Sequence, residues 1–357
     1  MTIIDNGYSN YTIVIPAVAT EIEKKAAYKL QHYLREMSGT KLDVIPEDRP
    51  WRSHAIYVGS CNSAKKLNID FPALEEDGFS VRTQGQDLFI CGGKRKGTLF
   101  GVYDFLEQVG CRKYSPDAEL IPKKKLLRIP QYNITEIPVF QYRETLMPDA
   151  SDPDYAEWHK LHHRSEREKD WGMWVHTFDD LIPPEKYFNE HPEYFSLNNG
   201  VRSSKTQLCL SNPNVLDLVI LRLKDLISQN HQASHWSVSQ NDTYGPCECS
   251  GCKNIDNKYG GVPSGSLIHF VNQVAEQFPN KIISTLAYQY SRKAPEGIKP
   301  AENVNIVLCT IELNRSKPIR NDPNSQGFVN DISNWKKLTN NILIWDYIVQ
   351  FRNYLNP

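Results

Sequence analysis

The stretch Ser237-Val-Ser-Gln-Asn-Asp-Thr-Tyr-Gly-Pro-Cys-Glu-Cys-Ser-Gly-Cys252 decides how this sequence folds. His235 to Ser239 reads as a strand. It ends in Gln240, Asn241 and Asp242, and a Gly-Pro turn and three cysteines follow. In a β/α barrel, chemistry sits where strands end and βα-loops begin, so an acid at this place marks a site of proton transfer.

Outward from that stretch, strand-like runs recur at Gln141–Leu146, Gly172–Thr177, Gln207–Leu210, Ile282–Tyr288, Asn305–Ile311 and Asn341–Trp345. Helical patterns at 153–165, 213–229, 264–278 and 326–339 lie between them. Strands alternating with helices mean a parallel sheet, and at this count a (β/α)8 TIM-type barrel. With His235–Ser239 the runs number seven, and the barrel over residues 131–357 is expected to be incomplete at the C-terminus, truncated after strand seven. That last strand reads as buried on both faces. Tyr347, Ile348, Phe351, Tyr354 and Leu355 follow it, with no helix long enough to cover it.

Residues 1–130 read as a separate small α/β domain. Tyr11–Ile15 is a strand. Ile22, Ala26, Leu30, Tyr33 and Leu34 share one helical face, with Thr20 and Glu23 at capping-box spacing and Gly39 as the stop. Phe79–Arg82 and Asp87–Cys91 form a hairpin, and Thr98–Val109 a second helix. The turn Gly92-Gly-Lys-Arg-Lys-Gly97-Thr98 lacks the lysine of a phosphate loop after its last glycine. Its glycines are read as serving a tight turn and close helix packing. Four prolines within residues 115–140 suggest an extended connector.

Lys and Arg total 41 against 42 Asp and Glu, so no basic field draws in nucleic acid, and none is expected as a partner. No apolar run approaches the ~20 residues of a membrane span. No signal peptide is visible at the start, which leaves a cytoplasmic protein or a mature exported form open.

Polar and aromatic residues cluster at the expected strand ends: Arg143 and Glu144; Trp174 and His176; Gln240, Asn241 and Asp242; Tyr288 and Tyr290; Glu312; and Trp345, Asp346 and Tyr347. Carboxylates and aromatic rings converging on one mouth suit glycoside hydrolysis, which needs an acid on the leaving oxygen and a second group at the oxocarbenium-like centre. Asp242 and Glu312 are the leading catalytic pair. Both end strongly apolar strands, and partial desolvation there is expected to raise a carboxylate's pKa. The remaining residues are read as the walls that hold an oligosaccharide, and no cofactor is expected.

Cys247, Cys249 and Cys252 form a C-x-C-x2-C run. A zinc site would need a fourth ligand such as His235 or His176. Three cysteines without a matching fourth favour a structural thiol cluster, or one disulfide that shapes the loop after the strand, and no metal ligands are assigned. Cys61, Cys91, Cys111, Cys209 and Cys309 read as buried free thiols. His159, His162 and His163 have ligand-like spacing but no accompanying glutamate, and they read as surface residues.

Several runs resemble signatures of glycoside hydrolase family 163: Trp171–Phe178, Gln207–Pro213, Ser237–Cys252, Thr285–Tyr290, Cys309–Glu312 and Trp345–Tyr347. Residues 1–130, above all Gly97–Leu106, resemble the non-catalytic N-terminal domain of glycoside hydrolase families 20 and 67. The resemblance implies a barrel enzyme behind an accessory domain, an exported endo-β-N-acetylglucosaminidase acting on N-glycans. It places His176, Asn241, Asp242 and Glu312 on motif positions. The leading hypothesis is a retaining reaction that uses Asp242 and Glu312, through either a carboxylate nucleophile or the substrate's own acetamido oxygen, which Asp242 or Asn241 would orient while Glu312 acts as acid. The alternatives are an exo-acting uronidase, its uronate held by Arg143, Arg292 and Arg315, and a carbohydrate-binding protein without turnover.

Overall fold

Tyr11–Ile15 forms β1, buried along its whole length, as a strand flanked by parallel neighbours must be. The computed structural model describes residues 1–51, 54–67 and 69–348. Phe351, Tyr354 and Leu355 therefore lie outside the described residues. The chain divides into two compact units, Met1–Glu166 and a second from Arg167 onward.

In the first unit, α1 (Glu21–Ser38) starts with the capping box foreseen from the sequence. The Thr20 hydroxyl accepts the Glu23 N–H at 3.3 Å, and the Glu23 carboxylate accepts the Thr20 N–H at 2.9 Å. Gly39, at φ 78°, ends it in the left-handed region that a Cβ disfavours. Strands β2 (Val44–Pro46), β3 (His54–Val58), β4 (Phe79–Gln84), β5 (Asp87–Gly92) and, after α2 (Gly97–Gln108), β6 (Asn133–Glu136) complete a mixed sheet of order β6-β4-β5-β3-β1-β2. The glycine turn serves packing. A Cβ on Gly92 would lie 2.0 Å from the Gly97 carbonyl carbon, and one on Gly97 would lie 2.1 Å from the Gly78 carbonyl oxygen.

The units divide at 166/167, whereas composition suggested a break near residue 130. Residues 131–166 hold to the first unit by specific bonds. β6 pairs antiparallel with β4. Trp158 is buried in the core with Tyr33 and Tyr103. Lys25 and Lys29 bridge Glu157 and Asp154 at 2.6 Å each. The strand expected at Gln141–Leu146 does not form. The Arg143 N–H is donated to His162 Nδ1 at 2.9 Å, and its carbonyl accepts the His162 N–H at 2.6 Å, so its backbone pairs with a loop and not a ladder.

The second unit is built on five consecutive parallel strands: β7 (Trp171–Met173), β8 (His235–Ser237), β9 (Ile282–Ala287), β10 (Val304–Cys309) and β11 (Ile342–Trp345). Helices α3 (Pro213–Gln229), α4 (Ser250–Lys258), α5 (Ser264–Glu276) and α6 (Gln326–Leu338) fall between them. The period of two sorts each strand's side chains onto two faces. Trp236, Ile283, Ala287, Ile306, Leu308 and Ile344 pack with the helices. Leu286, Tyr288, Val307, Cys309, Leu343 and Trp345 gather on the opposite face.

The sheet is open among the described residues, and no closed eight-stranded barrel is formed by them. Gln207–Leu210 is not a strand. It makes one antiparallel bridge, Phe195 with Leu208; the Gln207 carbonyl accepts the Ser196 N–H, the Cys209 N–H is donated to the Tyr194 carbonyl, and the Cys209 carbonyl accepts the Asn212 N–H in a turn. β11 is half-buried on both faces and not deeply buried as expected. No described helix is long and apolar enough to cross a membrane.

Candidate functional site

The C-terminal ends of β8, β9, β10 and β11 bring a compact set of groups together. Asp242, five residues past the end of β8, accepts the Tyr288 hydroxyl at 3.1 Å. Tyr288 follows β9 directly, and its ring is buried. Its hydroxyl pKa is raised by burial first, then by the Tyr347 and Asp242 charges. Tyr347, two residues past β11, has its hydroxyl pushed up to about 12, chiefly by burial and then by the Cys309 thiol. The charges of Asp242 and Glu312 add to that shift, so both carboxylates act on this one phenol. They act on Cys309 as well, behind the dominant effect of burial.

Glu312 makes an ion pair with Arg292 at 2.8 Å, and the same guanidinium donates from Nε to Asp331 at 2.6 Å. Burial raises the Asp331 pKa, and Arg292 partly offsets the shift. Asp242 is exposed and the Glu312 side chain is 41% exposed, so the desolvation expected of the pair is not found. Both leave the sheet on loops, where water reaches them. Trp345, at the end of β11, has its ring centroid 5.6 Å from that of Trp174, and the Arg167 guanidinium lies 4.5 Å over the Trp174 ring. Asp346 accepts the Thr310 hydroxyl at 2.6 Å, and that hydroxyl accepts the Tyr347 N–H at 3.0 Å.

His176 belongs to this rim. Its Nδ1–H donates to the Gln240 carbonyl at 2.8 Å, and its ring meets Tyr288 edge-on at 5.8 Å. Its φ is +57°, and Gln289 next to Tyr288 has φ +51°. Two non-glycine residues in the left-handed region just past the ends of β7 and β9 are strained, and such strain gathers at functional sites.

Gln240 and Asn241 are buried struts. The Gln240 amide donates to the Tyr288 carbonyl at 2.8 Å and accepts the Ser291 hydroxyl at 2.7 Å. The Asn241 amide donates to Asp179 at 2.8 Å and to the Thr206 carbonyl at 2.7 Å, and its oxygen accepts the Asp179 N–H. Asn241 is thus committed to internal bonds that set the position of Asp242. Tyr290 does not join the rim. It lines a crevice with Leu208, Leu210, Pro246, Cys247 and Cys252. Arg143 and Glu144 belong to the first unit. Arg143 bonds Asp77 at 3.2 Å and the Lys160 carbonyl at 2.9 Å, and Glu144 accepts the Tyr142 hydroxyl.

The sequence reading passed over Thr310, Ser291 and Gln207 as parts of the site, and it placed Asp179 at a strand end without a role. Gln207 accepts the Asn241 N–H at 2.9 Å and donates to the Asn241 and Thr243 carbonyls. Its signal in the sequence was its place at the start of Gln207–Pro213, one of the runs that resemble a family 163 signature.

The three cysteines after β8 have a fourth companion. The Sγ atoms of Cys209, Cys247, Cys249 and Cys252 all lie within 4.8 Å of one another. Neither histidine considered as the fourth ligand is there. His176 holds Gln240, and His235 stacks on Trp171 with ring centroids 4.8 Å apart. His162, expected at the surface, is buried and bonded through Nε2 to Asp77 at 2.9 Å.

Residues 113–357 match the family described as domain of unknown function DUF4838. The chain belongs to that family. In this DUF4838 chain, residues 7–105 also match the family described as glycosyl hydrolase family 67 N-terminus. A curated relative, the probable α-glucuronidase A of Aspergillus terreus, is 27% identical over 93 residues, 25% of this chain and 11% of that protein. Among solved structures, the Flavobacterium johnsoniae chitobiase is 12% identical at TM-score 0.49, over 97% of this chain and 57% of its own. A family 115 4-O-methyl-α-glucuronidase is 11% identical at TM-score 0.43, over 87% of this chain and 46% of its own. The chain thus spans about a tenth of the curated relative and about half of each of these two structures.

Proposed function

We propose that the second unit hydrolyses glycosidic bonds, with Asp242 and Glu312 as its working carboxylates. The observation that carries this reading is that Asp242, which accepts the Tyr288 hydroxyl at 3.1 Å, and Glu312 both follow strands at the C-terminal edge of one parallel sheet. Trp174 and Trp345 stand beside them as apolar surfaces for the C–H faces of a sugar. The match of residues 7–105 to a glycoside hydrolase N-terminus supports the same class of chemistry.

The substrate we propose is a β-N-acetylglucosaminide linkage in an N-glycan, cleaved within the chain and with retention. Asp242, held by the Tyr288 hydroxyl at 3.1 Å, is an exposed acceptor for an acetamido N–H, while the Tyr347 hydroxyl is a donor of the kind that suits the acetamido carbonyl. That oxygen then attacks the anomeric carbon, and Glu312 protonates the departing oxygen. For Glu312 to act as acid, its ion pair with Arg292 must open when substrate enters. Asn241 serves as a positioning residue. We place the rest of a TIM-type barrel around this sheet as part of the same reading, and an exported protein as the form that meets such a glycan.

The uronidase reading draws on the Aspergillus relative. Against it, the three arginines it needs are engaged: Arg143 with Asp77, Arg292 with Glu312 and Asp331, and Arg315 with the Leu313 and Ile311 carbonyls. The test is turnover of a fluorescent N-glycan beside that of a chromogenic uronide. Cleavage of the glycan is expected, with Asp242→Asn and Glu312→Gln each slowing it by about 10²-fold or more at unchanged melting temperature. Cleavage of the uronide alone, or binding of the glycan without product, would overturn the assignment.

A further inference from the structure

Four thiols, up to 43 positions apart in sequence between Cys209 and Cys252, meet in one place. We propose that Cys209, Cys247, Cys249 and Cys252 form a closed tetrathiolate site for one zinc ion, and that this ion ties the Gln207 loop to the loop carrying Asn241 and Asp242.

Geometry comes first. Cys209 Sγ lies 3.6 Å from Cys249 Sγ and 4.0 Å from Cys252 Sγ. A tetrahedron with zinc–sulfur bonds of about 2.3 Å has edges of about 3.8 Å. A disulfide needs about 2.05 Å between sulfurs, and all four cysteines are free. Sulfur ligands exclude magnesium and calcium, which take oxygen. The four sulfurs lie close enough to share one ion, whereas a polynuclear iron–sulfur cluster sets its thiolates on separate iron atoms.

Donors around the sulfurs suit thiolates. Cys247 Sγ accepts the Leu197 N–H at 3.4 Å and the Arg202 guanidinium at 3.6 Å. Cys249 is the N-cap of α4 and accepts the Cys252 N–H at 3.5 Å, so its sulfur sits at the positive end of that helix. Cys209, Cys247 and Cys252 are buried, and Cys249 is half-buried. Four protein ligands leave no open position, which marks a structural ion and not a catalytic one.

The consequence lies two residues from Cys209. Gln207 holds the backbone on both sides of Asp242, through Asn241 and Thr243. An ion that fixes Cys209 to Cys247 therefore reinforces the strut that positions the carboxylate, by adding a cross-link to the hydrogen bonds that already join these segments.

The test is elemental analysis of the tag-free full chain, with cobalt substitution of the same protein. About one zinc per chain is expected, released in step with modification of the thiols by an organomercurial. The cobalt form should show the visible bands of a tetrahedral ion and sulfur-to-cobalt charge transfer. Cys209→Ser and Cys249→Ser should each lose the metal and melt lower by about 5 °C or more, while Cys61→Ser, in the first unit, should keep it. Should the serine variants fail to fold, the metal content and cobalt spectrum of the unaltered chain still decide the matter. Metal-free protein with freely reactive thiols, a disulfide within the set, or iron in place of zinc would overturn the proposal.

Discussion

Tyr288 is the residue on which the proposed site turns, because one hydroxyl connects the β9 end to Asp242 at 3.1 Å. A hydrogen bond to a charged group contributes about 1.5–3 kcal/mol. Tyr288→Phe keeps the buried ring and removes only the donor. If the bond orients Asp242 in the transition state, kcat on the N-glycan should fall by about ten- to a hundredfold while the fold stands. Steady-state kinetics beside a thermal melt checks this, and unchanged kcat would remove Tyr288 from the mechanism. Gln207 is the corresponding strut on the other side. Gln207→Ala strips three bonds from the backbone around Asp242 and should lower kcat by about tenfold or more without abolishing folding.

At the scale of elements, close approach decides what each helix and strand tolerates. Gly172 in β7 lies against the Trp236 ring, and a Cβ there would sit 2.3 Å from it. Both residues belong to the sheet that carries the site, so the clash cannot be relieved by a surface side chain swinging out. Gly172→Ala should cost about 1–3 kcal/mol and lower the melting temperature by several degrees. Thr20→Ala removes half of the capping box of α1 and should cost about 1 kcal/mol, through loss of an N-cap bond alone. Differential scanning calorimetry of the two variants separates overpacking from cap loss by size. A Gly172→Ala protein as stable as its parent would mean that the Trp236 ring moves.

At the scale of the whole molecule, stability toward acid depends on Asp77. Its carboxylate takes Arg95 at 2.7 Å, His162 at 2.9 Å and Arg143 at 3.2 Å, joining four separate segments of the first unit. Burial alone would raise its pKa, but the hydrogen bonds from His162 and Arg95, with their charges, outweigh it. They hold the group well below its ordinary 3.8. The folded state therefore binds this proton less tightly than the unfolded state. The stability that follows is fully present above pH ~4 and is lost as pH falls below it toward the folded value. Asp77→Asn leaves Arg95 and Arg143 without their buried anion. It should cost about 3 kcal/mol at pH 7 and flatten the fall in stability below pH 4. Urea unfolding at several pH values measures both, and an unchanged acid limb would show that other carboxylates govern it.

The sequence by itself determined what local periodicity and local chemistry can carry. It marked the capping box at Thr20 and Glu23, the hairpin around Gly85, the packing role of the Gly92–Gly97 turn and five of the seven expected strands. It also placed Asp242, Tyr288, Tyr347 and Glu312 at strand ends, because an apolar run that stops at a polar side chain is visible in one dimension. The tertiary structure alone decided the rest, because each remaining feature joins residues far apart in sequence. Gln141–Leu146 and Gln207–Leu210 have strand-like composition, yet loop partners take their backbone groups. The prolines of 115–140 suggested a linker, yet residues 131–166 are held by ion pairs and by Trp158. Asn241 and Gln240 read as groups that meet the substrate, and only packing shows that their amides are bonded internally. Cys209 read as a lone buried thiol, because no local spacing links it to three cysteines in another loop; folding alone brings the four sulfurs together.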